Sequence, residues 1–231
     1  MDVMTVGQGE EIVVAVHGIQ GTRVVWMPLA VELSEVASFV LPNLRGRGAA
    51  FRGSLAHDYR LDAFADDLTE VIETVVGERP YTLAGWSMGV SVALTYLARA
   101  RRRPARLILM SGSPGLSSVH WFEAHDDAAL LEEIAARERR LGLHEAANHQ
   151  AVAWTWKSIR STNQCSMLAS IDIPALIVHG SDDIDSPVAH AQWLADGIED
   201  ARLYVIDGAG HGLAIENTNV AAAAVRRFLN G

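Results

Sequence analysis

Short apolar runs and longer amphipathic stretches alternate along almost the whole of this 231-residue chain. Val3–Val6, Glu11–Val16, Ser38–Leu41, Tyr81–Ala84, Arg106–Met110, Ala175–His179 and Arg202–Ile206 are short and mostly apolar, and are predicted to be strands. Val24–Ser34, Asp62–Val76, Met88–Arg101, Pro187–Asp196 and Val220–Asn230 are predicted to be helices. A continuous apolar run such as Pro174-Ala175-Leu176-Ile177-Val178 suits a strand buried on both faces. Alternation of this kind specifies an α/β fold, a mostly parallel sheet covered by helices on both sides.

The alternation breaks once, from Ser113 to about Ile171, where no buried-strand pattern occurs. Asp126–Leu141 reads as an amphipathic helix with an acidic start and a basic end, and His144–Ser158 as a second helix carrying Trp154 and Trp156. The organisation expected is a core of residues 1–112 and 172–231, with residues 113–171 as a helical insert.

The chemistry-bearing motif is Gly85-Trp86-Ser87-Met88-Gly89, a Gly-x-Ser-x-Gly between a predicted strand and a predicted helix. A serine at such a corner stands clear of the sheet, at a helix N-terminus that favours developing negative charge. It needs a base to take its proton and an acid to orient that base. Both occur downstream and beyond strand ends, where the functional groups of open α/β sheets collect. One strand ends in Gly180-Ser181-Asp182-Asp183-Ile184-Asp185-Ser186-Pro187, the next in Asp207-Gly208-Ala209-Gly210-His211-Gly212.

With these residues in place the chain resembles the α/β-hydrolase fold superfamily over nearly its whole length apart from the insert. His17-Gly18-Ile19-Gln20-Gly21 resembles the family's oxyanion loop. Pro42-Asn43-Leu44-Arg45-Gly46-Arg47-Gly48 resembles its Asp-x-Arg-Gly-x-Gly turn, with Asn43 where Asp is usual. Gly180-x-x-Asp183-x-x-x-Pro187 resembles its acid loop and Gly210-His211 its base loop. The resemblance implies a triad of Ser87, Asp183 and His211, an oxyanion hole of the Ile19 and Met88 amides, and an insert acting as a cap. The cap is short, so a fairly open pocket is expected. Only one weak strand fits before Glu11–Val16, so the family's eight-stranded sheet is expected to be trimmed at that edge. Val90 replaces a second glycine found in many relatives, a change expected to alter packing rather than chemistry.

Trp26, Trp86, Trp121, Trp154 and Trp156 are the candidate substrate contacts; for Trp121, Phe122, Trp154 and Trp156, packing of insert on core is an equal alternative. Asp182 and Asp185 are read as solvated neighbours of Asp183, Arg45 and Arg47 as turn-stabilising, His17 as shaping its loop, and His179 as structural. His120, His125, His144 and His149 show no zinc spacing, so no metal and no cofactor is expected.

Composition narrows the partners. A net charge of −9 argues against nucleic acid and anionic membrane, and no apolar run approaches spanning length. Arg99, Arg101, Arg102, Arg103 and Arg106 form a basic cluster that reads as a solvated helix end. No signal-peptide pattern opens the chain, and Cys165, the single cysteine, reads as a small apolar side chain in a reducing cytoplasm. The partner expected is a small-molecule substrate; the sequence leaves the oligomeric state open.

The reaction these placements support is hydrolysis of a carboxylic ester through an acyl-enzyme, the work of a carboxylesterase-like serine hydrolase. An acyl thioesterase and a lyase or C–C bond hydrolase using the same triad stay open, as does, more weakly, a ligand receptor on the same fold. Ser87 argues against dehalogenase and epoxide-hydrolase chemistry, which needs Asp at that position.

Overall fold

A computed structural model describes residues 2–119, 121–143 and 145–231. Seven strands form one sheet: β1 (Asp2–Val6), β2 (Glu11–Val16), β3 (Ala37–Asn43), β4 (Thr82–Trp86), β5 (Arg106–Met110), β6 (Ala175–Gly180) and β7 (Ala201–Ile206), in the order β1-β3-β2-β4-β5-β6-β7. Only β1, at the edge, runs antiparallel to its neighbour. The trimmed edge and the doubly covered parallel sheet expected from the sequence are both present.

Alternation along the strands sorts the core into two layers. Ile12, Val14 and Val16 of β2 face one cluster with Leu83 and Ile177, while Val13 and Ala15 face the other with Ala84 and Val178. The first layer is covered by α2 (Leu61–Val71), α3 (Met88–Arg99) and α6 (Ala189–Gly197), the second by α1 (Met27–Glu32) and α8 (Thr218–Leu229). A short helix, α7 (Leu213–Glu216), precedes α8.

Several boundaries differ from expectation for local reasons. Val24–Ser34 splits into a 3-10 turn, Arg23–Trp26, followed by α1. Pro28, which has no N–H to donate, sits in the first turn of α1, where none is needed. The stretch after α2 widens into a π-helical turn, Ile72–Val76. The run Ala201–Ile206 looked like a buried strand but lies at the open edge of the sheet, with Tyr204 and Val205 exposed. Cys165 is exposed rather than packed.

Between β5 and β6 the insert supplies α4 (Asp127–Arg140), capped by the Asp126 carboxylate on the Ala129 amide, and α5 (His149–Ile159), capped by Asn148. The second helix starts later than the sequence suggested, at the Asn148 cap; His144 and His120 lie outside the described residues. Leu130, Ile134, Ala151, Val152 and Trp156 of the insert join the cluster that holds α2 and α3. The basic cluster is a helix end only in part: Arg99 closes α3 and pairs with Asp62 and Asp66, whereas Arg106 opens β5, half-buried and paired with Glu11. Among the described residues no helix is long and apolar enough to cross a membrane.

Candidate active site

Ser87 links β4 to α3 with φ 56° and ψ −121°, a conformation that costs a side-chain-bearing residue about 1–3 kcal/mol. Close packing around it enforces the turn. A Cβ on Gly85 would lie 2.4 Å from the Gly89 carbonyl oxygen, and one on Gly89 would lie 2.2 Å from that of Val16. The extra bulk of Val90 is absorbed at Gly112, after β5, where a Cβ would come within 2.3 Å of Val90 Cγ2. Val90 therefore changes packing and leaves the serine turn in place.

The loops after β6 and β7 bring Asp183 and His211 to this serine. His211 Nε2 lies 2.9 Å from Ser87 Oγ, and His211 Nδ1 lies 2.9 Å from Asp183 Oδ2. The Asp183 Oδ1 accepts the amides of Asp185 and Ser186 at 3.0 and 2.8 Å, which fixes the carboxylate. Trp86 Nε1 donates to the His211 carbonyl at 3.0 Å, and its ring centroid lies 5.0 Å from the imidazole, so Trp86 braces the base loop. All three triad candidates are buried, Ser87 with 1% exposure. The insert reaches the loops beside these residues, where the Ala147 amide donates to the Gln20 carbonyl and Arg137 and Arg140 bond to Asp185.

The His17-Gly18-Ile19 loop passes beside the serine: a Cβ on Gly18 would lie 3.1 Å from Ser87 Cβ. Its conformation is held from below. His17 Nδ1 donates to the Gly18 carbonyl and Nε2 accepts the Leu44 amide, so both ring nitrogens are committed and the ring is neutral. Burial, with the nearby Arg47 charge, pushes the His17 pKa down to about 3. Arg47 is fully buried and donates to the carbonyls of Ile19 and Arg45, and burial lowers its pKa to about 10, so it stays charged at neutral pH. Arg45 pairs with Asp67 through two hydrogen bonds. Both arginines hold the turn, as the sequence suggested. Asn43, replacing the usual Asp, accepts the Arg23 amide and donates to Asp2. Met88, as the first residue of α3, has an amide with no acceptor within the helix.

Two sequence readings are corrected here. Asp185 is not solvated: it is 4% exposed and takes hydrogen bonds from Arg137 and Arg140 of α4. Burial opposes its ionisation, but the Arg140 hydrogen bond and the Arg137 charge outweigh that and bring its pKa to about 2. Asp182 is exposed as expected. Trp26 is no substrate contact, since it is fully buried in the cluster on the α1/α8 face of the sheet. Trp121 and Trp156 are buried against one another with centroids 5.6 Å apart, and Trp154 packs on Tyr59. Of the five candidate tryptophans, Trp86 alone lines a cavity of about 150 Å³, with Val24, Val25, Leu143, Gly212 and Ile215.

Burial lowers the His179 pKa, and its Nε2 donates to the Ser186 carbonyl at 2.6 Å, a structural contact that steadies the acid loop. Asp183, Asp185 and His211 could offer ligand atoms within 4.8 Å of one another. The donor set does not suit a cation: two guanidinium groups already occupy Asp185, and His211 Nδ1 is bonded to Asp183.

The Arg137–Asp185 contact was missed in the sequence, although a signal exists. Leu130, Ile134 and Arg137 fall on one helical stripe, and an arginine on a buried stripe demands an anionic or carbonyl partner.

Comparison with known proteins agrees with this architecture. A sequence profile described as alpha/beta hydrolase fold matches residues 11–133, and one described as TAP-like protein matches residues 144–231. A pimeloyl-[acyl-carrier protein] methyl ester esterase of Nitrosomonas europaea is 26% identical over 90% of each chain. The protein of the same description from Aromatoleum aromaticum is 28% identical over 94% of this chain and 98% of its own. Among solved structures, an esterase from Exiguobacterium antarcticum superposes with a TM-score of 0.84 at 22% identity, covering 99% of this chain and 95% of the other. At that identity the likeness shows the fold. On the profile match, the sheet order and the strand–serine–helix corner together, the chain belongs to the α/β-hydrolase fold family.

Proposed function

We propose that this protein is a serine hydrolase that cleaves a carboxylic ester of a small molecule through an acyl-enzyme. The observation that carries the reading is the unbroken relay of Ser87 Oγ, His211 and Asp183, with both contacts at 2.9 Å. The full-length relatives described as methyl ester esterases support an ester as the bond cleaved.

In this reading His211 Nε2 takes the Ser87 proton as Oγ attacks the ester carbonyl carbon. The Asp183 carboxylate keeps the His211 proton on Nδ1 and stabilises the imidazolium. The negative oxygen of the tetrahedral intermediate takes hydrogen bonds from the Ile19 and Met88 amides, donors worth about 3–4 kcal/mol each in a water-poor site. His211 then returns its proton to the departing alkoxide, and the same steps with water release the acid. The cavity beside Gly212 and Trp86 has the volume of a site that holds a benzene-sized group, and its place against the base loop suits the leaving alcohol.

The test is a side-by-side assay of p-nitrophenyl esters and matched acyl thioesters with wild type and Ser87→Ala. The reading expects ester turnover to dominate and to vanish in Ser87→Ala. A preference for the thioester would make the protein a thioesterase, and turnover that survives the substitution would remove Ser87 as nucleophile.

A further inference from the structure

One side chain of the insert reaches both halves of the candidate active site. Arg137 projects from the third turn of α4 and is 6% exposed, although it carries a full charge. Its Nε donates to Asp185 Oδ1 at 2.9 Å, and its Nη1 donates to Gln20 Oε1 at 2.7 Å. The guanidinium lies against Trp121 and Phe122, with Cζ 5.8 and 5.7 Å from the ring centroids.

Each partner is one short step from a group that the ester-hydrolase reading uses. The Asp185 amide donates to Asp183 Oδ1 at 3.0 Å, so the residue that Arg137 grips also helps fix the triad acid. Trp121 Nε1 locks the Asp185 carbonyl at 2.9 Å. Gln20 directly follows Ile19, whose amide is the candidate oxyanion donor. Its side-chain amide donates to the Ile134 carbonyl of α4, and its own carbonyl accepts the Ala147 amide. The insert therefore holds the oxyanion loop at three points, one of them through Arg137.

Sheet order gives this contact its meaning. Gln20 follows β2 and Asp185 follows β6, while β4 and β5 lie between those strands. A group that touches both loops must bridge the crevice above the ends of β4 and β5, and Ser87 stands at the end of β4. The guanidinium is planar and its donors point in fixed directions, so it sets the separation of the two loops as well as joining them.

We propose that Arg137 is a positioning residue for this reaction: it holds the oxyanion loop and the acid loop in register across the crevice, so that the full site assembles when α4 is seated. The inference rests on the serine-hydrolase reading. The backbone of α4 also touches the first loop, through the Ile134 carbonyl, and Arg140 touches the second, but Arg137 joins the two in a single side chain. A displacement of about 1 Å in catalytic groups costs roughly 100-fold in rate.

The experiment measures kcat and KM for p-nitrophenyl acetate and the second-order rate of inactivation by a fluorophosphonate in Arg137→Lys, Arg137→Gln, Asp185→Asn and Gln20→Ala. Inactivation reads the activated serine and the oxyanion hole without needing the natural substrate. Both Arg137 variants are expected to lose roughly 100-fold in kcat and in inactivation rate, with KM within about threefold and native circular dichroism. Arg137→Lys keeps the charge but not the fork, so it should rescue little. The double variant Arg137→Lys/Asp185→Asn should be no worse than the poorer single one. Rates within threefold of wild type, with only the melting temperature lowered, would make Arg137 a packing residue and overturn the proposal. Should the Arg137 variants fail to fold, Gln20→Ala and Asp185→Asn cut the two arms separately, and native rates in both overturn it equally. A wild-type protein inert to the probe is a different failure, seen before any variant is made, and removes the nucleophile reading itself.

Discussion

Trp156 separates packing from substrate recognition in the insert. It is 4% exposed, with Trp121 and Phe122 at ring-centroid distances of 5.6 and 5.7 Å, and it shares the main core cluster. Truncating a buried tryptophan to alanine costs about 3–5 kcal/mol. For a chain of this length each kcal/mol lowers the melting temperature by about 2–4 °C, so Trp156→Ala should melt roughly 6–20 °C below wild type. Trp154 is half-buried and has one ring partner among the described residues, Tyr59, so Trp154→Ala should lose only about 1–2 kcal/mol. Trp156→Phe keeps most of the apolar contact and gives up an indole N–H that has no partner among the described residues, so its cost should be smaller still. Differential scanning calorimetry gives the stability, and kcat/KM for p-nitrophenyl acetate and octanoate gives the acyl preference. The packing account expects the acetate-to-octanoate ratio to stay within twofold. A tenfold shift in that ratio at an unchanged melting temperature would refute it and place Trp156 in the acyl pocket.

Other outcomes follow from the same geometry. Asp182→Asn should keep nearly full activity at pH 8, because its side chain is exposed, whereas Asp185→Asn should lose at least tenfold; equal activity in both would contradict the buried role of Asp185. Stability should fall as pH drops from about 6.5 towards 3, because His17 has a pKa of about 3 when folded and 6.5 as its ordinary value, so the unfolded chain takes a proton that the folded one refuses. One such group contributes up to about 1.4 kcal/mol per pH unit in that window, and a urea midpoint unchanged between pH 7 and pH 5 would count against a neutral, buried His17. Asp185 acts lower: its folded pKa of about 2 lies below the usual 3.8, so its contribution is whole above about pH 4 and is lost as pH falls through 2. Trp86→Phe leaves the buried His211 carbonyl without its donor and should cost about 1–3 kcal/mol of stability, read by the same urea titration; an unchanged midpoint would refute the bracing role.

Local pattern carried the strands and the three side chains that the structure brings together, Ser87, Asp183 and His211, because each position depends on residues adjacent in sequence. Gly85 and Gly89 flank Ser87 because the close approach of the Gly89 and Val16 carbonyls leaves no room for a side chain there, and a histidine or aspartate just beyond a strand has few places to go. The insert was less legible because its role depends on where it docks. Asp185 looked solvated beside Asp182, and only the arrival of α4, 45 to 48 residues away in the chain, gives it two cationic partners. Edge position is equally silent: Ala201–Ile206 is as apolar as β6, yet the sheet ends there and half its side chains face outward. Trp26 misled because a tryptophan near an oxyanion loop in sequence can still turn through the sheet plane to the opposite layer.

The central claim is that Ser87 is a nucleophile primed by His211 and Asp183. It is tested most directly by treating wild type, Ser87→Ala, His211→Ala and Ser87→Ala/His211→Ala with a fluorophosphonate and measuring intact mass and the modified peptide. The account predicts one adduct on wild type, carried by Ser87, labelling slowed by several orders of magnitude in His211→Ala, and none in either variant that lacks Ser87. An adduct on another residue, or labelling that persists at the wild-type rate in His211→Ala, would contradict it.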